Sequence, residues 1–511
     1  MLEWLRKGRA LTAWPSTMAV AAALVVGAPQ PAAAMAPDGA GLVAAGTTTS
    51  SSATAVEAYL RSRSNAVAAS SSSAATSMNA AGIPAFARKY GLRCSACHTA
   101  WPELNSFGQK FKDNGYQLGN DRDAPIWQAP SYWPVSVRTT PQFHYESTTN
   151  QPVDAVAGDP TSGTVEKTVT QSGFDISGAD LLMLGTLYKN ITFGFVPTLD
   201  VGDLGIETAF VRFDNLFNST WANVKVGKFE LDNILSEKRI VTLSNNGGFY
   251  QSYHFVPVGD ATVFGLGDNQ IGAEVMGHSQ NSYTRFSAAV LDGTDGEPGI
   301  SNGQRYDGMV TFSQAFDGGK LGVQRIGVYG YFGQQPTVYQ TSGGDPIAGS
   351  GTFNKGFYRI GVVGDFFLGK LELIPLYLRG SDNAYLATAT PGDQPLPVGA
   401  QDASWNGGLL EVHYYFNPQM MLIGRGEAIR MSQQALPTTS STLGNVDAYV
   451  IGGRYYPIMS SRAGVSLHGE LAFTKTVGGV PLSGDGVGLP PLTDTTEVWS
   501  TSVLMAVDFA F

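Results

Sequence analysis

The chain has 511 residues with 14% charged residues, a net charge of −10, 62 glycines, 21 tyrosines and 26 phenylalanines. That profile points to a Gly- and aromatic-rich β protein, long enough for several small domains or one large sheet-based one, and no nucleic acid is expected among its partners.

Residues 1–34 read as a secretory signal. Arg6, Lys7 and Arg9 form a basic start, Thr17 to Ala28 an apolar run, and Ala32-Ala33-Ala34 a small-residue cleavage site. The run is shorter than the ~20 residues a transmembrane helix needs. No later segment is long and apolar enough to span as a helix, so any membrane protein here must be a barrel. Residues 35–82 are rich in Ala, Ser, Thr and Gly. They bury too little surface to offset their ordering entropy and read as a flexible linker.

Residues 83–133 carry the chain's only two cysteines, in Cys94-Ser95-Ala96-Cys97-His98. Two thiols at this spacing can form thioether bonds to the vinyl groups of a haem, and His98 can then bind the iron as proximal ligand. A thioredoxin-like pair would leave His98 unexplained, and a zinc site lacks a second ligand pair nearby. Ile83 to Gly91 reads as one or two helical turns, with Pro84 in the first turn and Gly91 as the stop. A second helix is expected from Pro102 to Asn114-Gly115, with Leu104, Phe107 and Phe111 on one apolar face against the haem. Arg88, Lys89, Arg93, Lys110 and Lys112 could meet haem propionates or an acidic partner.

Between Ile83 and Pro141 there is no methionine, and His98 is the only histidine. A distal iron ligand, if there is one, must come from another part of the chain.

Residues 134–511 are short alternating segments separated by Gly, Asn, Asp and Pro clusters. In Ser502 to Phe511 every odd position from Val503 is large and apolar, while Ser502 and Asp508 share the other face. The same alternation marks Val137 to Glu146, Gly322 to Phe332, Leu410 to Phe416 and Val465 to Phe473. The pattern predicts a mainly β fold: a transmembrane antiparallel β-barrel of about 16 strands behind a small α-helical monohaem cytochrome c segment. Both barrel ends then lie on the periplasmic side, placing the haem segment at the periplasmic mouth or inside the lumen. Alternation puts His144, His278, His413, His468 and Met276 on the lumen side, and His144, nearest in sequence, is the expected distal ligand. Asp292 to Gln304 and Thr341 to Gly351 are expected as extracellular loops.

The run Ile83-Pro84-Ala85-Phe86-Ala87-Arg88, through Tyr90-Gly91 and the Cys94–His98 motif to Pro102, Leu104-Asn105, Gly108 and Phe111, resembles the start of the fused outer-membrane cytochrome–porin proteins. Their best-known members are iron(II) oxidases. The resemblance implies one covalent haem c on Cys94 and Cys97, with His98 on its iron. It also implies an electron-transfer oxidoreductase in the bacterial outer membrane, passing electrons from extracellular Fe(II) or another donor to a periplasmic c-type cytochrome. Two alternatives use the same parts. One is an anion porin with a structural or regulatory haem, for which Arg138, Arg325 and Arg454 are lumen candidates. The other is electron export to an outside acceptor.

Overall fold

The computed structural model describes residues 84–100, 103–118, 135–157, 159–200, 203–232, 250–257, 266, 269–293, 296, 306–337, 339–340, 346–347, 354–388, 390–433, 441–460, 463–478 and 496–511. The expected signal and linker, residues 119–134 and most of the two expected extracellular loops lie outside these. Sixteen strands close into one antiparallel barrel. They are β1 (Val135–Val156), β2 (Asp159–Tyr188), β3 (Ile191–Asp200), β4 (Asp203–Phe213), β5 (Asn223–Glu230), β6 (Asn269–His278), β7 (Thr284–Leu291), β8 (Asp307–Asp317), β9 (Val323–Pro336), β10 (Asn354–Leu368), β11 (Leu371–Asp382), β12 (Ala403–Asn417), β13 (Met420–Gln433), β14 (Val446–Met459), β15 (Gly464–Val477) and β16 (Glu497–Ala510). Each pairs with its chain neighbour, and β1 closes the ring on β16 in the register His144↔Leu504.

The strands form because period-2 alternation lets each present one face to lipid and one to the lumen. On β9, Ile326, Val328 and Phe332 are about half exposed, at 46%, 49% and 51%, while Tyr329 and Tyr331 between them are buried. On β12, Leu410, Tyr414 and Phe416 point outward and Glu411 and His413 are fully buried. This is a soluble protein turned inside out: large apolar side chains face outward and charged ones are enclosed.

Connections at the end where β1 begins and β16 finishes are short, such as Lys189-Asn190 and Gly369-Lys370. At the other end β1–β2 and β3–β4 are joined as briefly, but every connection there from β5 onward is longer. Part of the connection between β5 and β6 folds inward, where Tyr250, Tyr253 and Phe255 pack with Trp405, Tyr329 and Phe357 in the largest apolar cluster.

Residues 84–100 and 103–118 plug the short-turn end. Helix α1 (Pro84–Tyr90) stops at Gly91, whose φ of +65° continues no helix. Helix α2 (Ser106–Asp113) begins four residues later than the expected start at Pro102. Asn105 is the reason. Its side chain accepts from the Gly108 amide at 2.9 Å, capping the helix there, and its own extended backbone cannot be part of it. The shift also breaks the expected apolar face: Phe111 is buried, but Phe107 is 45% exposed.

The plug is fastened by charge. Arg285 on β7 makes two hydrogen bonds to Asp113, at 3.0 and 3.1 Å, and two more to Asp232, at 2.9 and 3.0 Å. Arg212 on β4 donates to the Lys112 carbonyl at 3.1 Å, and the Cys94 thiol donates to the Ser460 carbonyl at 3.4 Å.

Candidate functional site

Cys94 to Ala96 form a single 3-10 turn, closed by the Cys97 and His98 amides donating to the Cys94 carbonyl at 3.1 Å. That turn holds both thiols and the imidazole on one short piece of backbone. Asn105 clamps it to α2: its side-chain amide donates to the Ala96 carbonyl at 3.1 Å, and its backbone amide to the Cys97 carbonyl at 3.0 Å. Gly108 is required for this approach, because a Cβ there would lie 2.1 Å from the Cys97 carbonyl oxygen.

His98 is nearly buried, and its Nδ1 is 3.2 Å from the Glu103 carbonyl oxygen. A carbonyl can only accept, so Nδ1 carries the proton and Nε2 is the basic nitrogen, the tautomer an iron ligand needs. This assignment follows from the partners. Cys94 and Cys97 are free thiols. Burial pushes the Cys97 thiol up to about 11, with Cys94 adding to the rise, and burial also raises Cys94. A redox-active CxxC pair needs the opposite shift, toward thiolate, so the thioredoxin-like reading finds no support in this geometry.

Cys94, Cys97 and His98 border a cavity between plug and barrel wall, whose other lining includes Leu104, Phe111, Phe210, Phe229 and Met276. The donor set and the apolar lining suit a haem. The open volume of about 170 Å³ is below the ~300–1,000 Å³ of sites that enclose ligands of comparable size. Phe86, Phe111 and Tyr116 account for part of the difference. Their rings pack on one another at 5.1 to 6.1 Å and would have to turn aside for a macrocycle.

The structure does not bring His144 to this cavity. It sits on the wall where β1 meets β16, near Glu146, Asp175 and Glu470. His413 and His468 are engaged by Glu411 and Glu470 respectively, and His278 Nδ1 faces the Ser279 carbonyl at 2.9 Å. Met276, on β6, is the one methionine among the described residues that lines the cavity. Alternation placed it on the lumen side, but nothing in the sequence ranked it above the histidines. Of the expected basic residues, Arg93 and Lys112 border the cavity, and Lys112 also lies 3.7 Å from Glu230. The Arg88 side chain lies outside the described residues.

The lumen arginines proposed as anion selectors are engaged. Arg138 pairs with Asp180. Arg325 donates to Ser313 Oγ at 2.9 Å and to the Ser282 carbonyl at 2.7 Å. Arg454 donates to His468 Nδ1 at 3.0 Å and lies 3.8 Å from Asp508.

A closed 16-strand barrel with charged groups inside and an apolar belt outside has one suitable setting. The chain is an antiparallel β-barrel of the outer-membrane type. No family model and no curated protein matches it. Among solved structures it is similar to an anion-selective porin from Comamonas acidovorans (12% identity, covering 74% of this chain and 99% of that one, TM-score 0.43). The trimeric form of OmpT from Vibrio cholerae (11% identity, 73% and 99%, TM-score 0.42) and the outer-membrane channel DcaP of Acinetobacter baumannii (12%, 74% and 97%, TM-score 0.41) are similar to the same degree.

Proposed function

We propose that this protein is an outer-membrane electron conduit, taking electrons from an extracellular donor, Fe(II), to a periplasmic c-type cytochrome through one haem c. The observation that carries the reading is the Cys94–His98 turn facing an apolar cavity inside the short-turn mouth of a barrel. Short turns are the periplasmic ends of outer-membrane barrels, so a group held there is within reach of a periplasmic partner. When bound, haem c supplies a one-electron ferric/ferrous couple.

The chain's own residues prepare the place. Cys94 and Cys97 would anchor the macrocycle, and the Glu103 carbonyl fixes the His98 tautomer. Met276, which also lines the cavity, would be the candidate for a second iron ligand. A ~30 Å hydrocarbon layer is a poor medium for electrons, so a carrier seated within the wall shortens the path. Oxidising iron outside also keeps insoluble ferric products out of the cell.

The test is covalent attachment. Full-length protein, exported in a host with cytochrome c maturation and run on a denaturing gel, should stain for haem, and Cys97→Ser should weaken the stain. Wild-type protein that folds and carries no covalent haem would overturn the proposal.

A further inference from the structure

Glu103 of the plug, Glu372 of β11 and His413 of β12 converge beside the haem-motif turn. One oxygen from each carboxylate and a ring nitrogen of His413 all lie within 4.8 Å of one another, and all three side chains are buried. His413 Nδ1 is 2.8 Å from Glu372 Oε2 and 3.4 Å from Glu103 Oε2. Its Nε2 is 2.6 Å from Glu411 Oε1, and the other Glu411 oxygen accepts from the Tyr250 hydroxyl at 2.7 Å and from Arg425 at 3.2 Å. With a carboxylate at each ring nitrogen, His413 donates through Nε2 to Glu411 and through Nδ1 to Glu372, and a cation would take the place of the Nδ1 proton while Glu411 still holds the ring. A carboxylate behind the imidazole that fixes ring and tautomer is how proteins prepare a histidine to bind a metal.

Two further observations point to a missing positive charge. The Tyr415 hydroxyl contacts Glu372 and lies 2.8 Å from Glu103 Oε2, yet it has one proton and can donate to only one of them. Asp365 sets a third carboxylate against Glu372, and its buried Oδ1 accepts no hydrogen bond. Three carboxylates crowded together away from water are costly even when hydrogen-bonded, and a cation between them relieves that cost.

We propose that Glu103, Glu372 and His413 bind a divalent transition-metal cation of the ferrous or manganous type. Two carboxylates and one imidazole suit these ions. A cavity of about 380 Å³, bordered by Glu103, Asp365, Glu372 and the turn at Lys320, gives room for completing waters and a route from the short-turn rim. The site adjoins His98 through a single residue, since the Glu103 carbonyl holds the His98 ring. A positive charge there favours the reduced, more negative form of a haem on His98 and so raises its potential. This coupling rests on the conduit reading; cation binding does not.

Purified full-length protein is titrated with Mn(II) alone, followed by electron paramagnetic resonance. Wild type is expected to take up one Mn(II). Glu372→Gln should weaken uptake by at least about a hundredfold, beyond the 10–100-fold typical of losing a group behind a ligand. Glu103→Gln, a plug substitution outside the barrel strands, should do the same, and Glu470→Gln, elsewhere in the lumen, should leave uptake unchanged. Strand content by circular dichroism confirms that each variant folds. No stoichiometric uptake by wild type, or equal uptake by a folded Glu103→Gln, overturns the site. In haem-loaded protein Mn(II) should raise the midpoint potential of wild type and not of Glu103→Gln; uptake without that shift overturns the coupling. Protein lacking haem would defeat the conduit reading and leave the Mn(II) titration a valid test.

Discussion

Gly108 shows how much of the site depends on one absent side chain. The Cys97 carbonyl occupies the space a Cβ would need, so Gly108→Ala must push α2 away from the haem-motif turn, at an overpacking cost of about 1–3 kcal/mol. The expected outcome is a clear fall in covalent haem per folded protein, measured by haem stain against barrel content, with Ser106→Ala on the exposed side of α2 as an unaffected control. Met276 and His144 offer a second comparison at this scale. Met276→Ala should change the haem spectrum and lower its potential, because a thioether ligand favours the ferrous form, whereas His144→Ala should leave both unchanged. An altered spectrum in His144→Ala alone would reverse the assignment.

Among the elements, the plug depends on the contact between α2 and β7. Burial opposes ionisation of Asp113, but the Arg285 guanidinium on its carboxylate, aided by His278, holds it below the usual carboxylate range. A depressed folded value stabilises the plug in full above the unfolded value of ~3.9 and loses that contribution as pH falls through the folded one. Limited proteolysis of residues 84–118 should therefore accelerate in acid below about pH 4. Asp113→Asn should remove this step and cost about 1.5–3 kcal/mol at neutral pH, the loss of a charged contact from a guanidinium that keeps its two hydrogen bonds to Asp232.

Strands were legible because each carries its own alternation: Leu410 to Phe416 declares two faces without help from the rest of the chain. The start of α2 was misread because Pro102 is a good first-turn residue, while Asn105 forms a cap only when Gly108 and the Cys97 carbonyl are in place. Closeness in sequence favours His144 as distal ligand, whereas the strand that lines the cavity is β6, with Met276 on it, and no local signal gives that. The Glu103–Glu372–His413 cluster joins residues up to 310 positions apart. Alternation could place Glu372 and His413 in the lumen, but the plug's depth, which brings Glu103 to them, has no local signal.

For the whole molecule, the lumen is occupied from both ends: residues 84–100 and 103–118 fill the short-turn mouth and the Tyr250–Phe255 segment packs into the interior. Planar-bilayer recordings of the intact protein should show little ion conductance, and deletion of residues 84–118 should raise it. High conductance with anion preference in the intact protein would favour the porin alternative instead. Electron entry from iron is open to direct measurement. Haem-loaded protein in detergent, mixed anaerobically with ferrous iron, should show the haem absorption bands shift to the reduced form. Full reduction by dithionite with no reduction by Fe(II) would contradict it.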